Sequence, residues 1–257
     1  MHASRTLGLL LATICASILI PTSTTAATAA TASTCSDIYV LGARGSGQYA
    51  EGGDQFGGYG PQVFAAVRDL EEKTGASASS TSAPVTYPAW PTSMLVTNKK
   101  RYFEGIDQGV ANALQALADR QRRCPTERLV LAGYSSGAMV VHRVVRRILD
   151  DRTFAARLDG VLLIADGDRV ANDNTVLHGT APAASQGLGH NVSGSGTSPA
   201  KLPLAYEQVL HSICNKNDSA CGGGVDTRTH SGYQGSPEVV EAVDDVVERV
   251  AVRFPRS

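Results

Sequence analysis

The pentapeptide Gly133-Tyr134-Ser135-Ser136-Gly137 sets a serine between two glycines. A serine hydroxyl is a weak nucleophile until an adjacent base takes its proton and a carboxylate orients that base. Leu129-Val130-Leu131-Ala132 precedes the motif as a short apolar strand, and Ala138 to Val145 follows as an apolar run at helical spacing. Ser135 thus stands on a strand-to-helix turn, where small neighbours allow a strained backbone and push the hydroxyl outward. The amide of Ser136, at the new helix N-terminus, faces the place where an oxyanion would develop. An ordinary serine N-cap would require neither the glycines nor the buried strand. The chemistry expected is nucleophilic acyl transfer, which needs no metal and no organic cofactor.

For this arrangement the chain order is serine, carboxylate, histidine. The histidines after Ser135 are His142, His178, His190, His211 and His230. His142 lies two turns into the helix after the serine and is expected to point away. His178 and His190 fall in an irregular stretch, and His211 falls inside an expected strand as a structural histidine. His230, in Thr229-His230-Ser231-Gly232-Tyr233, is assigned to a polar loop before the last helix, where a rigid scaffold commonly holds catalytic groups. Asp218, between Cys214 and Cys221, is the favoured acid because a disulfide would pin its loop. On spacing alone Asp226, Asp166 and Asp168 remain rivals.

These residues need a scaffold. Apolar runs alternate with helical patterns, which predicts helices packed on a mainly parallel sheet in one domain. Strands are expected at 37–42, 85–88, 128–133, 158–166 and 207–213. Helices are expected at 61–73, 103–123, 136–149 and 237–252. Ala76 to Ala83 reads as a loop. The glycine- and serine-rich stretch from Gly167 to Leu204 reads as a surface excursion near the site, either a flap or a tolerated insertion. Trp90 is expected to be a buried aromatic anchor rather than the wall of an acyl groove.

With 257 residues, 42% of them hydrophobic, the chain can build one sizeable core. The net charge of −1 points to no polyelectrolyte partner, and Arg120-Gln121-Arg122-Arg123 is too short a basic cluster for nucleic acid. That cluster is expected to close a helix at its C-terminal end. No stripe calls for a partner chain, so a monomer is expected. His2 and Arg5, the apolar run Leu7 to Ile20, Pro21 and the small residues up to Ser33 read as a secretory leader over residues 1–32. The run is too short for stable membrane insertion. The domain then spans 33–257. Cys15 leaves with the leader, and Cys35, Cys124, Cys214 and Cys221 form an even set with three possible pairings. Spacing suits a local staple between Cys214 and Cys221, which leaves Cys35 for Cys124. No Cys-x-x-Cys pair is present and the histidines are scattered, so disulfides are expected rather than a metal.

Cys35-x-Asp37 before a strand, Ala43-Arg44-Gly45-Ser46, the turn at Ser135, Cys214-x3-Asp218-x2-Cys221, and His230 with Tyr233 together resemble the cutinase and acetylxylan esterase family. The resemblance runs from Cys35 to the closing helix, and its most specific part is the Cys-x3-Asp-x2-Cys element. It implies a compact three-layer α/β/α sandwich of the α/β-hydrolase kind and a secreted enzyme acting on an ester substrate. By position it implies Ser135 as nucleophile, Asp218 as acid and His230 as base. Ser46 and Ser136 would form the oxyanion hole. The same two disulfides follow from it. The substrates it implies are cutin-like polyesters or short-to-medium acyl esters, with acetylated carbohydrate or lipid as alternatives. The family often has glutamine after the nucleophile, where this chain has Ser136.

Overall fold

A computed structural model describes residues 35–48, 55–190, 192 and 200–255. The leader lies outside these residues, as do positions 191 and 193–199 of the excursion. Six parallel strands form one sheet in the order β2-β1-β3-β4-β6-β5. They are β1 (Ile38–Ala43), β2 (Ser80–Pro84), β3 (Arg128–Tyr134), β4 (Leu158–Ile164), β5 (Val176–His178) and β6 (Leu210–Ile213). The helices are α1 (Gly60–Thr74), α2 (Met94–Thr97), α3 (Lys99–Arg123), α4 (Ser136–Ile148), α5 (Arg152–Ala155), α6 (Thr227–Ser231) and α7 (Pro237–Arg253).

The central strands are buried on both faces, which is why β1, β3 and β4 read as continuous apolar runs rather than as alternations. Alternate residues nevertheless serve opposite layers. Tyr39, Leu41, Leu129, Leu131, Val161 and Leu163 pack under α3 and α4, against Phe103, Ile106, Val110, Met139 and Val144. Ile38, Val40, Val130, Ala132, Leu162 and Ile164 pack under α1 and α7, against Val63, Val67, Leu70, Val239, Val243 and Val246. The result is the three-layer α/β/α sandwich expected.

Strand order reverses beside β1: the chain goes to β2 on one side and β3 on the other. In open parallel sheets a ligand crevice forms at such a switch, outside the carboxyl ends of the strands. The loops leaving β1 and β3 carry Ser46 and Ser135.

Four expectations need correction. The second strand is Ser80–Pro84, not 85–88. It is an edge strand of small, half-buried residues, so it shows no hydrophobic alternation, and Val85 only continues its pairing by donating to the Gly42 carbonyl at 2.7 Å. Residues 204–209 form a 3-10 helix, so the last strand shortens to β6. The excursion is partly built into the fold: β5 lies within it as the outer strand beside β6. Trp90 is half-buried, with the Arg101 guanidinium over its ring at 4.6 Å.

Both disulfides are present, Cys35–Cys124 with Cα atoms 5.5 Å apart and Cys214–Cys221 at 6.1 Å. On the chain-entropy account closing these loops stabilises by about 4–5 and 2–3 kcal/mol. Arg122 and Arg123 occupy the last turn of α3 as expected, but Arg120 turns inward. Its Nε donates to Glu127 Oε2 at 2.6 Å, and Glu127 Oε1 accepts from the Ser36 amide at 2.6 Å. Burial pushes the Glu127 carboxyl up, and Arg120 and Ser36 overrule it, holding it below its ordinary value of 4.5. The stabilisation is therefore complete above that value and is lost on acidification through the lower, folded one. Glu127→Ala would strip a buried guanidinium of its carboxylate. We expect a loss of about 3–5 kcal/mol, seen as a lower urea midpoint at unchanged slope.

Candidate active site

The turn after β3 depends on two glycines for space. A Cβ at Gly133 would collide with the Gly137 carbonyl, and one at Gly137 would collide with the carbonyl of Ala43 at the end of β1. Only hydrogen at both positions lets α4 start this close to the strand ends. Ser135 itself sits at φ 55°, ψ −119°, a conformation that costs about 1–3 kcal/mol for a non-glycine residue. It is held there by its amide, which donates to the Ile164 carbonyl at 2.9 Å. Its carbonyl accepts from Met139 at 3.1 Å as α4 begins.

The Ser135 hydroxyl is 3.0 Å from His230 Nε2. On the other side of the ring, Nδ1 lies 3.0 and 3.1 Å from the two carboxylate oxygens of Asp218. The three residues are separated by up to 95 positions, and the fold brings them into one hydrogen-bonded line. Asp218 is fully buried, and its Oδ1 also accepts from the amides of Ala220 at 2.6 Å and Cys221 at 2.9 Å. Burial alone would raise its pKa; the His230 ring and these amides prevail and hold the carboxyl below the usual aspartate range. The Cys214–Cys221 bond closes the loop that carries it.

His230 lies on α6, a single helical turn, rather than on the open loop expected. Asp226 caps that turn, accepting from the Arg228 amide at 2.9 Å and the Thr229 hydroxyl at 2.8 Å. The rival acid is thus engaged elsewhere. Asp166 pairs with His142 at 2.7 Å, and Asp168 with Arg143 at 2.6 Å, both buried under α4. Burial disfavours charge on His142, but Asp166 outweighs it and the pKa is pushed up to about 9. His178 and His211 lie on neighbouring strands at the sheet edge. None of these groups is hydrogen-bonded to Ser135.

Tyr134, the variable residue of the pentapeptide, stacks on the His230 ring with centroids 5.2 Å apart, and its hydroxyl donates to the His230 carbonyl at 2.7 Å. Motif reasoning missed it, although its place beside the serine was a usable signal. The loop after β1 is braced just as closely. Gly45 donates to Gln48 Oε1 at 2.8 Å and Gly47 to the Ala89 carbonyl at 2.7 Å. Gln48 Nε2 donates to Gln62, which donates to the Ser231 carbonyl at 3.2 Å, joining this loop to α6. The Ser46 hydroxyl is 2.7 Å from the Tyr102 hydroxyl. Ser136 is buried with its hydroxyl 3.2 Å from that of Tyr87, and its N–H, first in α4, has no acceptor within the helix. Tyr87 and Tyr102, also unforeseen, have pKa values raised by burial and remain neutral donors.

A cleft of about 470 Å³ opens over this line. Ser46, Gln48, Gln62 and Tyr102 wall one side, Leu188 and Ala220 another, and Thr227 and Ser231 the His230 end. Leu188 belongs to the excursion, which therefore contributes to the site's wall.

A family model described as Cutinase matches residues 34–250. Cutinase CUT1 of Coprinopsis cinerea is 33% identical over 134 residues, 51% of this chain and 58% of that protein's length. Carboxylesterase Culp1 of Mycobacterium tuberculosis is 28% identical over 96% of this chain and 95% of its own. Among solved structures, the catalytic core domain of acetyl xylan esterase from Trichoderma reesei superposes with a TM-score of 0.63 at 21% identity, over 84% of this chain and all of that one. The sheet order, the helical layers and these matches agree, and the chain belongs to the cutinase family of carboxylic ester hydrolases.

Proposed function

We propose that this protein is a secreted serine esterase whose nucleophile is Ser135, with His230 as base and Asp218 as acid. One observation carries the reading: the unbroken line from Ser135 Oγ through His230 to Asp218, each step 3.0–3.1 Å. As Ser135 attacks the ester carbonyl, its proton passes to His230 Nε2, and the imidazolium then gives it to the leaving alcohol. Water repeats the sequence on the acyl-enzyme. Asp218 stays ionised and accepts from Nδ1–H throughout, which keeps Nε2 free as the acceptor. The amides of Ser46 and Ser136 receive the oxyanion, each contributing roughly 3–4 kcal/mol to the transition state. Residues 1–32 would be the leader and 33–257 the mature domain; two disulfides suit an oxidising compartment.

The substrates proposed are cutin-like polyesters and short-to-medium acyl esters. Leu95, Leu188 and Ala220 put apolar side chains in the cleft wall, which suits them. A second reading, removal of acetyl groups from carbohydrate, is favoured by the hydroxyl and amide groups of Gln48, Gln62, Thr227 and Ser231 along the walls.

A fluorophosphonate probe at neutral pH is expected to add one equivalent, located by peptide mass spectrometry on Ser135. The intact mass should place the mature N-terminus just after residue 32. No labelling would favour a binding module that kept the fold. Rates on p-nitrophenyl esters of increasing chain length, set against acetylated xylan, decide between the two substrate readings.

A further inference from the structure

At the β5 edge of the sheet lies a cluster of metal-binding side chains that ester hydrolysis does not use. Strands β5 and β6 run parallel with Val176 opposite His211 and His178 opposite Ile213. His178 and His211 are thus two residues apart in register and project from the same face. Elsewhere that face carries Leu162, Ile164 and Ile213 under α7. Both imidazoles are buried, 6% and 1% exposed. Helix α7 crosses above and supplies Asp245, one turn beyond Glu241.

His178 Nε2 and His211 Nδ1 are 3.1 Å apart. Asp245 Oδ2 lies 3.4 Å from the first and 3.6 Å from the second. Three ligands on a tetrahedral ion, with bonds of about 2.0–2.2 Å, stand about 3.3–3.6 Å from one another. The observed triangle has nearly those edges, so an ion enters with only small side-chain shifts. We propose that His178, His211 and Asp245 form a binding site for one divalent transition-metal ion, with the fourth position open to solvent beside Asp245. Two imidazoles and a carboxylate with one open position suit zinc.

The chemistry of the donors supports this. His178 Nε2 and His211 Nδ1 both stand within 3.6 Å of Asp245 Oδ2, so one nitrogen of each ring is placed for the same ion; Arg249 is close enough to His211 to act on it electrostatically. With His178 Nε2 facing an ion, its Nδ1 lies 3.6 Å from Glu241 Oε2, and His211 turns its Nε2 away from the ion. That Nε2 finds no hydrogen-bond partner among the described residues. A ligating histidine without such a partner binds about 10–100-fold more weakly, and Arg249 adds an opposing charge. The affinity expected is micromolar rather than nanomolar.

Untagged, EDTA-dialysed protein should be titrated with zinc chloride by calorimetry and with cobalt(II) chloride by visible absorption. We expect one site per chain and cobalt bands of tetrahedral intensity. Asp245→Asn changes a partly exposed side chain without changing its size and should weaken binding at least about tenfold, as should His178→Gln. His230→Ala should leave it unchanged. No saturable binding to the native protein overturns the proposal, as does equal binding by Asp245→Asn or loss confined to His230→Ala. The trio is then hydrogen-bonded packing between the sheet edge and α7.

Discussion

Ser135→Ala is expected to lower kcat for a p-nitrophenyl ester by about 10⁵–10⁶-fold while leaving the fold and thermal midpoint close to native. The size follows from what is lost: with no hydroxyl no acyl-enzyme forms, and only the oxyanion donors and substrate binding remain to act on water. The fold should stand because alanine carries the same backbone burden at φ 55° that serine does. The hydroxyl's hydrogen bond is to His230, and Ser135 is held by main-chain bonds to Ile164 and Met139 that alanine keeps. Far-ultraviolet dichroism and a melting curve, read beside the assay, separate chemistry from folding. A variant that is folded and retains a tenth of native activity would remove Ser135 from the mechanism.

The second large effect is expected at Asp218. Asp218→Asn should reduce kcat by about 10⁴-fold, somewhat less than the serine change. A carboxylate can only accept, so it holds the His230 proton on Nδ1; a carboxamide can instead donate and fix the wrong tautomer. The variant also weakens the acceptor that the Ala220 and Cys221 amides share. A pH series separates that structural part. The Asp218 carboxyl titrates below its ordinary value of 3.8, so its contribution to stability is present above that value and is lost as pH falls through the folded one. The native melting temperature should therefore drop more steeply than the variant's on acidification below about pH 4. Equal acid slopes, with kcat lowered by less than tenfold, would dismiss the role.

The Ser135 turn was legible in the chain because its determinants are local. An apolar strand, two glycines and an apolar helix stand within about twenty residues of Ser135, and no distant contact is needed to read them. His230 was reachable only by choosing among five histidines on their surroundings, and Asp218 only by disulfide spacing and the resemblance to a family. Less local features were not legible. The edge strand Ser80–Pro84 has one neighbour and small side chains, so its pairing with β1 leaves no periodic mark. The three-residue β5 depends on β6, more than thirty positions away. Nothing local marks what the hydroxyls of Tyr134, Tyr87 and Tyr102 meet; only the packed structure shows their partners.

The sequence by itself thus determined the layered class, the turn that strains Ser135 and the even set of cysteines. These follow from side-chain periodicity and backbone sterics acting over one or two elements. Only the tertiary structure decided which carboxylate faces His230, which tyrosine steadies it, and that the two edge histidines meet under Asp245. Those outcomes are contacts between segments distant in the chain, and it is the packing of α7, α6 and the closed cysteine loop onto a finished sheet that selects them.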